Sequence, residues 1–265
     1  MSKDMAIICS ETRSIILLIT YILLTLAIIP IQLVAVLLRI RLAKILPKFY
    51  HRMCASILGI NVVVRGNQVR ERPVLFAANH ISYLDITALG SVVNGCFIAK
   101  AEIACWPLFG ILAKLQRTIF IVRKRFAVIK HNADIADRLK SGDNLILFPE
   151  GTSGDGIRVM PFKSSFFAVA EHWSCGQPLV IQPVSIAYTM LNEVPLGRSL
   201  RPLFAWYGDM DFLPHLWTVA AMGKLTVVID FHQPLTATEA GSRKALASKV
   251  QEEVAVGLAR ANAGR

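Results

Sequence analysis

The sequence predicts an α/β domain: a mostly parallel sheet of about seven strands flanked by helices, behind an N-terminal membrane helix or helix pair. Three observations carry that expectation. From Asn61 onward, short runs rich in β-branched residues alternate with stretches of helical length and amphipathic spacing, the pattern of strands joined by helical crossovers. The run Val74–Ala78 is apolar throughout and reads as a buried strand, as in a sheet covered on both faces. A long apolar segment stands apart near the N-terminus, and the whole chain is 54% hydrophobic, above ordinary soluble usage.

Taken in order, the first element is the run Ile15 to Leu38, broken only by Thr20, Tyr21, Thr25, Pro30 and Gln32. At ~1.5 Å per residue it can cross a hydrocarbon layer of ~30 Å. It is too long for a secretory signal and has no small-residue cleavage site after it. Pro30 leaves two arrangements open, a kinked span and a re-entrant or interfacial helix pair. Arg39, Arg41, Lys44, Lys48 and Arg52 follow with no acidic residue among them, so the positive-inside rule puts the remainder on the cytoplasmic side. Residues 1–52 are read as anchor and basic flank, and residues 53–265 as the catalytic domain.

The strand runs are Asn61–Val64, Val74–Ala78, Cys96–Lys100, Thr118–Val122, Asn144–Phe148, Pro178–Val184 and Lys224–Phe231. Helical patterns lie at Ile103–Leu115, Ile129–Leu139 and Ser164–Trp173, and a final helix runs from Arg243 to about Arg260. In open parallel sheets, ligands bind beyond the carboxyl ends of the strands. His80, Lys100, Arg123 and Glu150 all fall at or just past such ends.

The formal charge of +11 calls for an anionic partner. No zinc-finger spacing or aromatic-rich basic strand is present, so nucleic acid is not expected and lipid headgroups are. The five cysteines, Cys9, Cys54, Cys96, Cys105 and Cys175, show neither paired nor metal-ligand spacing, and they are read as reduced thiols with no metal site.

His80 and Asp85 sit at the mouth of the second strand, in Asn79-His-Ile-Ser-Tyr-Leu-Asp85. Ser82 and Asp85 read as a capping box that opens a helix, which by itself could account for the aspartate. Residues five apart on a helix do not face one another, but His80 precedes the helix, so the turn can fold the two side chains together. The carboxylate then fixes the imidazole tautomer and leaves the second nitrogen as a base. No G-x-S-x-G elbow and no cysteine–histidine neighbours exist, which disfavours a covalent intermediate. G-x-x-x-x-G-K is absent too, so Gly151, Gly154 and Gly156 do not make a nucleotide loop.

NHISYLD (79–85), KAE (100–102), WPLFG (106–110), FIVR (120–123), FPEGTS (148–153), PFK (161–163) and VIQPV (180–184), in that order, resemble the motif blocks of the glycerolipid acyltransferase family that includes lysophosphatidate acyltransferases. The resemblance covers roughly residues 56–187. It implies an O-acyltransferase in which His80, oriented by Asp85, deprotonates a lysolipid hydroxyl that attacks an acyl thioester of acyl carrier protein or coenzyme A. No other cofactor is implied. The same resemblance assigns acceptor contacts to Lys100, Arg123, Glu150, Gly151, Thr152, Ser153 and Lys163, with Asn79 bracing the turn, on a bacterial-type inner membrane.

One position departs from the family. Members that form phosphatidate usually carry an arginine after Glu-Gly-Thr, where this chain has Ser153, followed by Gly154, Asp155 and Gly156. Serine cannot supply a guanidinium's bidentate grip on phosphate. That loop resembles the branch that acylates lyso-ornithine lipid, whose ammonium Asp155 is expected to meet. Arg158 reaching back would instead restore lysophosphatidate as the acceptor.

Overall fold

Every apolar run read as a strand forms one. The computed structural model describes residues 9–70, 73–122, 128–173 and 176–265. Its elements in chain order are α1 (Glu11–Leu37), α2 (Leu42–Leu58), β1 (Ile60–Gly66), β2 (Val74–Ala78), α3 (Leu84–Val92), β3 (Cys96–Lys100), α4 (Phe109–Leu115), β4 (Ile119–Ile121) and α5 (Val128–Lys140). There follow β5 (Leu145–Leu147), α6 (Ala168–Glu171), β6 (Val180–Leu191), β7 (Val194–Pro195), α7 (Phe212–Met222), β8 (Leu225–Phe231), β9 (Leu235–Thr236), α8 (Ala237–Ala240) and α9 (Arg243–Asn262).

The strands form one sheet in the order β1-β8-β6-β2-β5-β3-β4, with β7 and β9 pairing onto β6. That makes nine strands where about seven were expected. The two additional ones are each two residues long, too short to leave a periodic signal. Within the seven, only the β6–β8 pairing is antiparallel. The carboxyl ends of β2, β3, β4 and β5 therefore open at one edge of the sheet.

The strands β2, β5 and β8 are buried at every residue, whereas β1 at the sheet edge is half exposed. Val74, Phe76 and Ala78 join one core layer with Leu84, Ala88 and Leu89 of α3 and Val219 and Met222 of α7. Leu75 and Ala77 join the opposite layer with Ile135 and Leu139 of α5 and Leu246, Val250 and Val254 of α9.

The expected helix at Ile103–Leu115 is divided. Ala101–Cys105 is a 3-10 turn, Trp106 is extended (ψ 132°), and α4 starts only at Phe109. Pro107 is the cause, since it has no N–H to donate and drives the residue before it out of helical geometry. Ser164–Trp173 is likewise broken, into a 3-10 turn at Ser164–Phe167 and the four residues of α6.

Helix α1 is the one helix among the described residues long and apolar enough to cross a membrane, and Pro30 sits inside it without ending it. Both of its ends are hydrogen-bonded to the globular part. Ser14 Oγ donates to the Trp217 carbonyl at 3.1 Å, and the Arg13 guanidinium reaches the carbonyls of Ala220 and Gly223. Near the other end, Gln32 Nε2 donates to Leu115 O at 2.8 Å and to Ala43 O at 3.1 Å. Helix α1 is thus tied to the rest of the described chain near both of its ends, and it packs against α2.

Candidate active site

Asp85 is the organising group. It lies in the first turn of α3 with no exposed surface. Its Oδ2 accepts from the N–H groups of Ile81 (2.6 Å) and Ser82 (3.0 Å) and from His80 Nδ1 (2.8 Å). Only the carboxylate half of the expected capping box forms, because the Asp85 N–H bonds the Ser82 carbonyl rather than its hydroxyl. Anchoring by two backbone donors is what folds the aspartate back over the turn and onto the histidine. Since Oδ2 only accepts, Nδ1 carries the imidazole hydrogen and Nε2 keeps the free lone pair.

Two further groups fix this pair, and neither was legible in the sequence. Tyr188 of β6 donates its hydroxyl to Asp85 Oδ1 at 2.6 Å, and it is fully buried. Burial first, and then the neighbouring Asp85 charge, raise the Tyr188 phenol well above its ordinary value, so it remains a donor. Phe148 stacks on the His80 ring with centroids 4.1 Å apart and planes 15° apart, which fixes the ring's orientation. A tyrosine and a phenylalanine in buried strand runs read simply as core.

Several residues expected at the acceptor prove to be braces. Glu150 is 3% exposed; Oε1 accepts the His80 N–H at 2.9 Å and Oε2 the Met160 N–H at 3.2 Å. Burial pushes its carboxyl up to about 8, against the pull of these two donors and with help from the nearby charges of Asp85 and Asp155. Asn79 is equally committed: its side chain exchanges two hydrogen bonds with the backbone of Ile186, tying β2 to β6. Asp155 Oδ1 closes its own turn on the N–H of Ile157 at 2.8 Å. Lys163 and Arg158 are exposed, and neither lines the cavity beside His80. Arg123 lies outside the described residues, as does Cys175.

The cavity has a volume of about 420 Å³. His80, Lys100, Gly151, Thr152 and Ser153 line it at the sheet edge, and residues of α1 and α2 form its far wall. Gly151 adopts φ +72°, a left-handed conformation that lets the chain reverse after Glu150 and present Thr152 and Ser153 to the space. Ser153 Oγ donates to the Trp206 carbonyl, and the Trp206 N–H bonds Ile81 O at 3.0 Å. The serine therefore pins an aromatic segment that lines the same cavity as the histidine. The arrangement offers an oriented base facing an apolar chamber, with the neighbouring hydroxyl engaged elsewhere. That suits removal of a proton from an incoming alcohol.

The model of the family described as Acyltransferase matches residues 60–187, the segment that carries His80, Asp85, Phe148 and Glu150 and stops one residue short of Tyr188. The chain is 38% identical over 247 residues to a lyso-ornithine lipid O-acyltransferase of Brucella abortus, covering 91% of this chain and 92% of that one. It is 36% identical over 87% of its length to the lyso-ornithine lipid O-acyltransferase of Rhizobium meliloti, of which 80% is covered. A 1-acyl-sn-glycerol-3-phosphate acyltransferase of Neisseria gonorrhoeae is 33% identical over 76% of this chain and 75% of its own. The fold is shared with the crystal structure of PlsC, the 1-acyl-sn-glycerophosphate acyltransferase of Thermotoga maritima, at a TM-score of 0.61 and 24% identity over 92% of this chain and 97% of that one. With its histidine, aspartate and cavity assembled on that fold, this chain belongs to the acyltransferase family and is an enzyme that acylates lysolipids.

Proposed function

We propose that the protein moves a fatty acyl group from an acyl thioester, of acyl carrier protein or coenzyme A, to the hydroxyl of lyso-ornithine lipid. The observation that carries this acceptor is Ser153. Its neutral side chain, bound to the Trp206 carbonyl, stands where phosphatidate-forming members usually place an arginine. Arg158 is exposed and outside the cavity lining, so it offers no replacement. The names carried by the Brucella and Rhizobium relatives support the same acceptor.

In this reading the acceptor hydroxyl gives its proton to His80 Nε2 while its oxygen attacks the thioester carbonyl carbon. The tetrahedral intermediate collapses by breaking the C–S bond, and the imidazolium returns the proton to the leaving thiolate. Asp85, held by three donors besides the histidine, keeps Nδ1 protonated and stabilises the transient imidazolium.

The enzyme meets an inner membrane from its cytoplasmic side through an interfacial helix pair. Arg13 and Gln32 are separated by ~28 Å of helix, yet both are bonded to the same domain, which a perpendicular span would forbid. Exposed Ile19, Leu23 and Leu26 of α1, with Leu213 and Trp217 of α7, supply the lipid-facing surface.

The test presents lyso-ornithine lipid and lysophosphatidate side by side, in vesicles, to purified enzyme with one acyl thioester. Ornithine lipid is the expected product, and exclusive formation of phosphatidate overturns the assignment.

A further inference from the structure

An ornithine headgroup ends in an ammonium, yet among the described residues no carboxylate lines the cavity beside His80. Asp155, the expected counter-ion, closes its own turn on the Ile157 N–H, and Glu150 is held by the N–H groups of His80 and Met160. The one permanently charged side chain in that lining is Lys100, which suits the headgroup's carboxylate and repels its ammonium. The cation needs another partner.

The lining offers a corner of aromatic rings. Trp106, which precedes α4, and Trp206, on the segment before α7, stand with centroids 6.0 Å apart and planes at 89°. Tyr83 and Phe212 close round Trp206 at 6.0 and 6.1 Å, with planes at 68° and 90° to it. All four line the cavity. Trp106 is 37% exposed and Trp206 is half-buried, so both rings keep open surface that core packing would have covered. Rings at right angles turn two π-faces toward one corner, and a π-face attracts an ammonium by its quadrupole.

Trp206 is fixed for this task at three atoms. Its backbone N–H donates to Ile81 O at 3.0 Å, its carbonyl accepts from Ser153 Oγ, and its indole Nε1 donates to Met210 O at 2.9 Å. Ile81 follows His80, so the ring is anchored to the turn that carries the base. With the indole N–H already engaged, Trp206 has no donor left for an anion and presents only its π-system.

We propose that Trp106 and Trp206 form a cation–π seat for the terminal ammonium of the acceptor's ornithine headgroup. The negative π-faces that attract an ammonium repel phosphate oxygens, so the same corner selects against lysophosphatidate. Ser153 thereby supports a seat for a cation where an arginine would grip an anion. The inference rests on the ornithine reading of the acceptor.

The experiment gives purified wild-type enzyme, in vesicles with one acyl thioester, three acceptors: lyso-ornithine lipid, its analogue with a hydroxyl in place of the terminal ammonium, and its N-trimethylated analogue. The hydroxyl analogue keeps hydrogen bonding and loses the charge, whereas the trimethylated one keeps the charge and loses every N–H. The hydroxyl analogue is expected to fall in kcat/KM by about 3- to 30-fold, the range of a cation–π contact from exposed to desolvated, and the trimethylated analogue to stay within about threefold of the parent. Trp206→Leu and Trp106→Leu are each expected to bring the ammonium-to-hydroxyl ratio toward one, a readout that a general loss of activity leaves unmoved. The proposal is overturned if the wild type uses the ammonium and hydroxyl acceptors equally, if it rejects the trimethylated analogue as strongly as the hydroxyl one, or if either leucine variant keeps the ratio. The wild-type comparisons decide without any variant having to fold. Failure to acylate lyso-ornithine lipid at all, with phosphatidate formed instead, would refute the acceptor reading beneath it.

Discussion

Replacing Asp85 by asparagine tests the charge at the centre of the site while preserving its shape. Oδ2 takes three donors and Oδ1 takes one, the Tyr188 hydroxyl. An asparagine therefore settles with its oxygen toward Ile81, Ser82 and His80 and its NH₂ toward Tyr188, whose hydroxyl rotates to accept. The imidazole tautomer survives, and what is lost is the negative charge opposite the imidazolium. A hydrogen bond to a charged group contributes about 1.5–3 kcal/mol, which sets the floor. Two unit charges 2.8 Å apart at an effective dielectric of about 20 gain ~6 kcal/mol, which is an upper bound. The expected effect is a fall in kcat of about 10²- to 10³-fold with little change in KM for either substrate. The assay is single-lysolipid turnover by purified enzyme in vesicles, with the melting temperature measured on the same preparation. A kcat within about threefold of wild type, in a protein that melts normally, would refute the role given to the carboxylate.

His80→Ala is expected to leave a folded, membrane-bound protein slowed by roughly 10²–10⁴, and substantial turnover by purified variant would remove the base assignment. Tyr188→Phe leaves Asp85 Oδ1 buried without a donor, so thermal denaturation should show a loss of about 1–3 kcal/mol and turnover should drop several-fold; an unchanged melting curve would contradict the bond. Glu150 gives a pH signature. Its carboxyl rises from 4.5 to about 8 on folding, so the fold prefers the neutral form, and stability is full at acid pH and declines as pH climbs from about 4.5 toward 8. Glu150→Gln should flatten that decline by removing the titration, while losing stability at acid pH because its amide NH₂ faces the Met160 N–H. Identical pH slopes in the two proteins would show that Glu150 does not titrate in this window.

Much of the fold was legible because burial on both faces writes itself into a strand. Val74–Ala78 and Leu145–Leu147 carry no polar residue, and a helix pattern separates each run from the next. The breaks were harder to read. Pro107 divides an apolar, helix-length stretch that periodicity alone would join. In the site, a strand end, a helix start and a five-residue spacing allowed His80 and Asp85 to meet, and the ordered motif blocks shared with the acyltransferase family singled them out. Glu150 was recoverable as important but not as a brace, and Asn79 as a brace but not with Ile186 as its partner, since sequence spacing says nothing about which backbone group a side chain reaches.

The sequence by itself determined the strand runs, the apolar helix and the closeness of His80 to Asp85, while the base role and the meaning of Ser153 came from the resemblance to the acyltransferase family. The first three follow from local composition or from groups a few residues apart. Only the tertiary structure decided that Tyr188, 103 residues beyond Asp85, completes its hydrogen bonds, and that Ser153 holds Trp206 rather than a ligand. The tertiary structure alone also turned residues of α1 into a wall of the catalytic cavity. The physical reason is common to all three: hydrogen bonding and burial depend on distance in space, and the chain records that distance only where the partners are also neighbours in sequence.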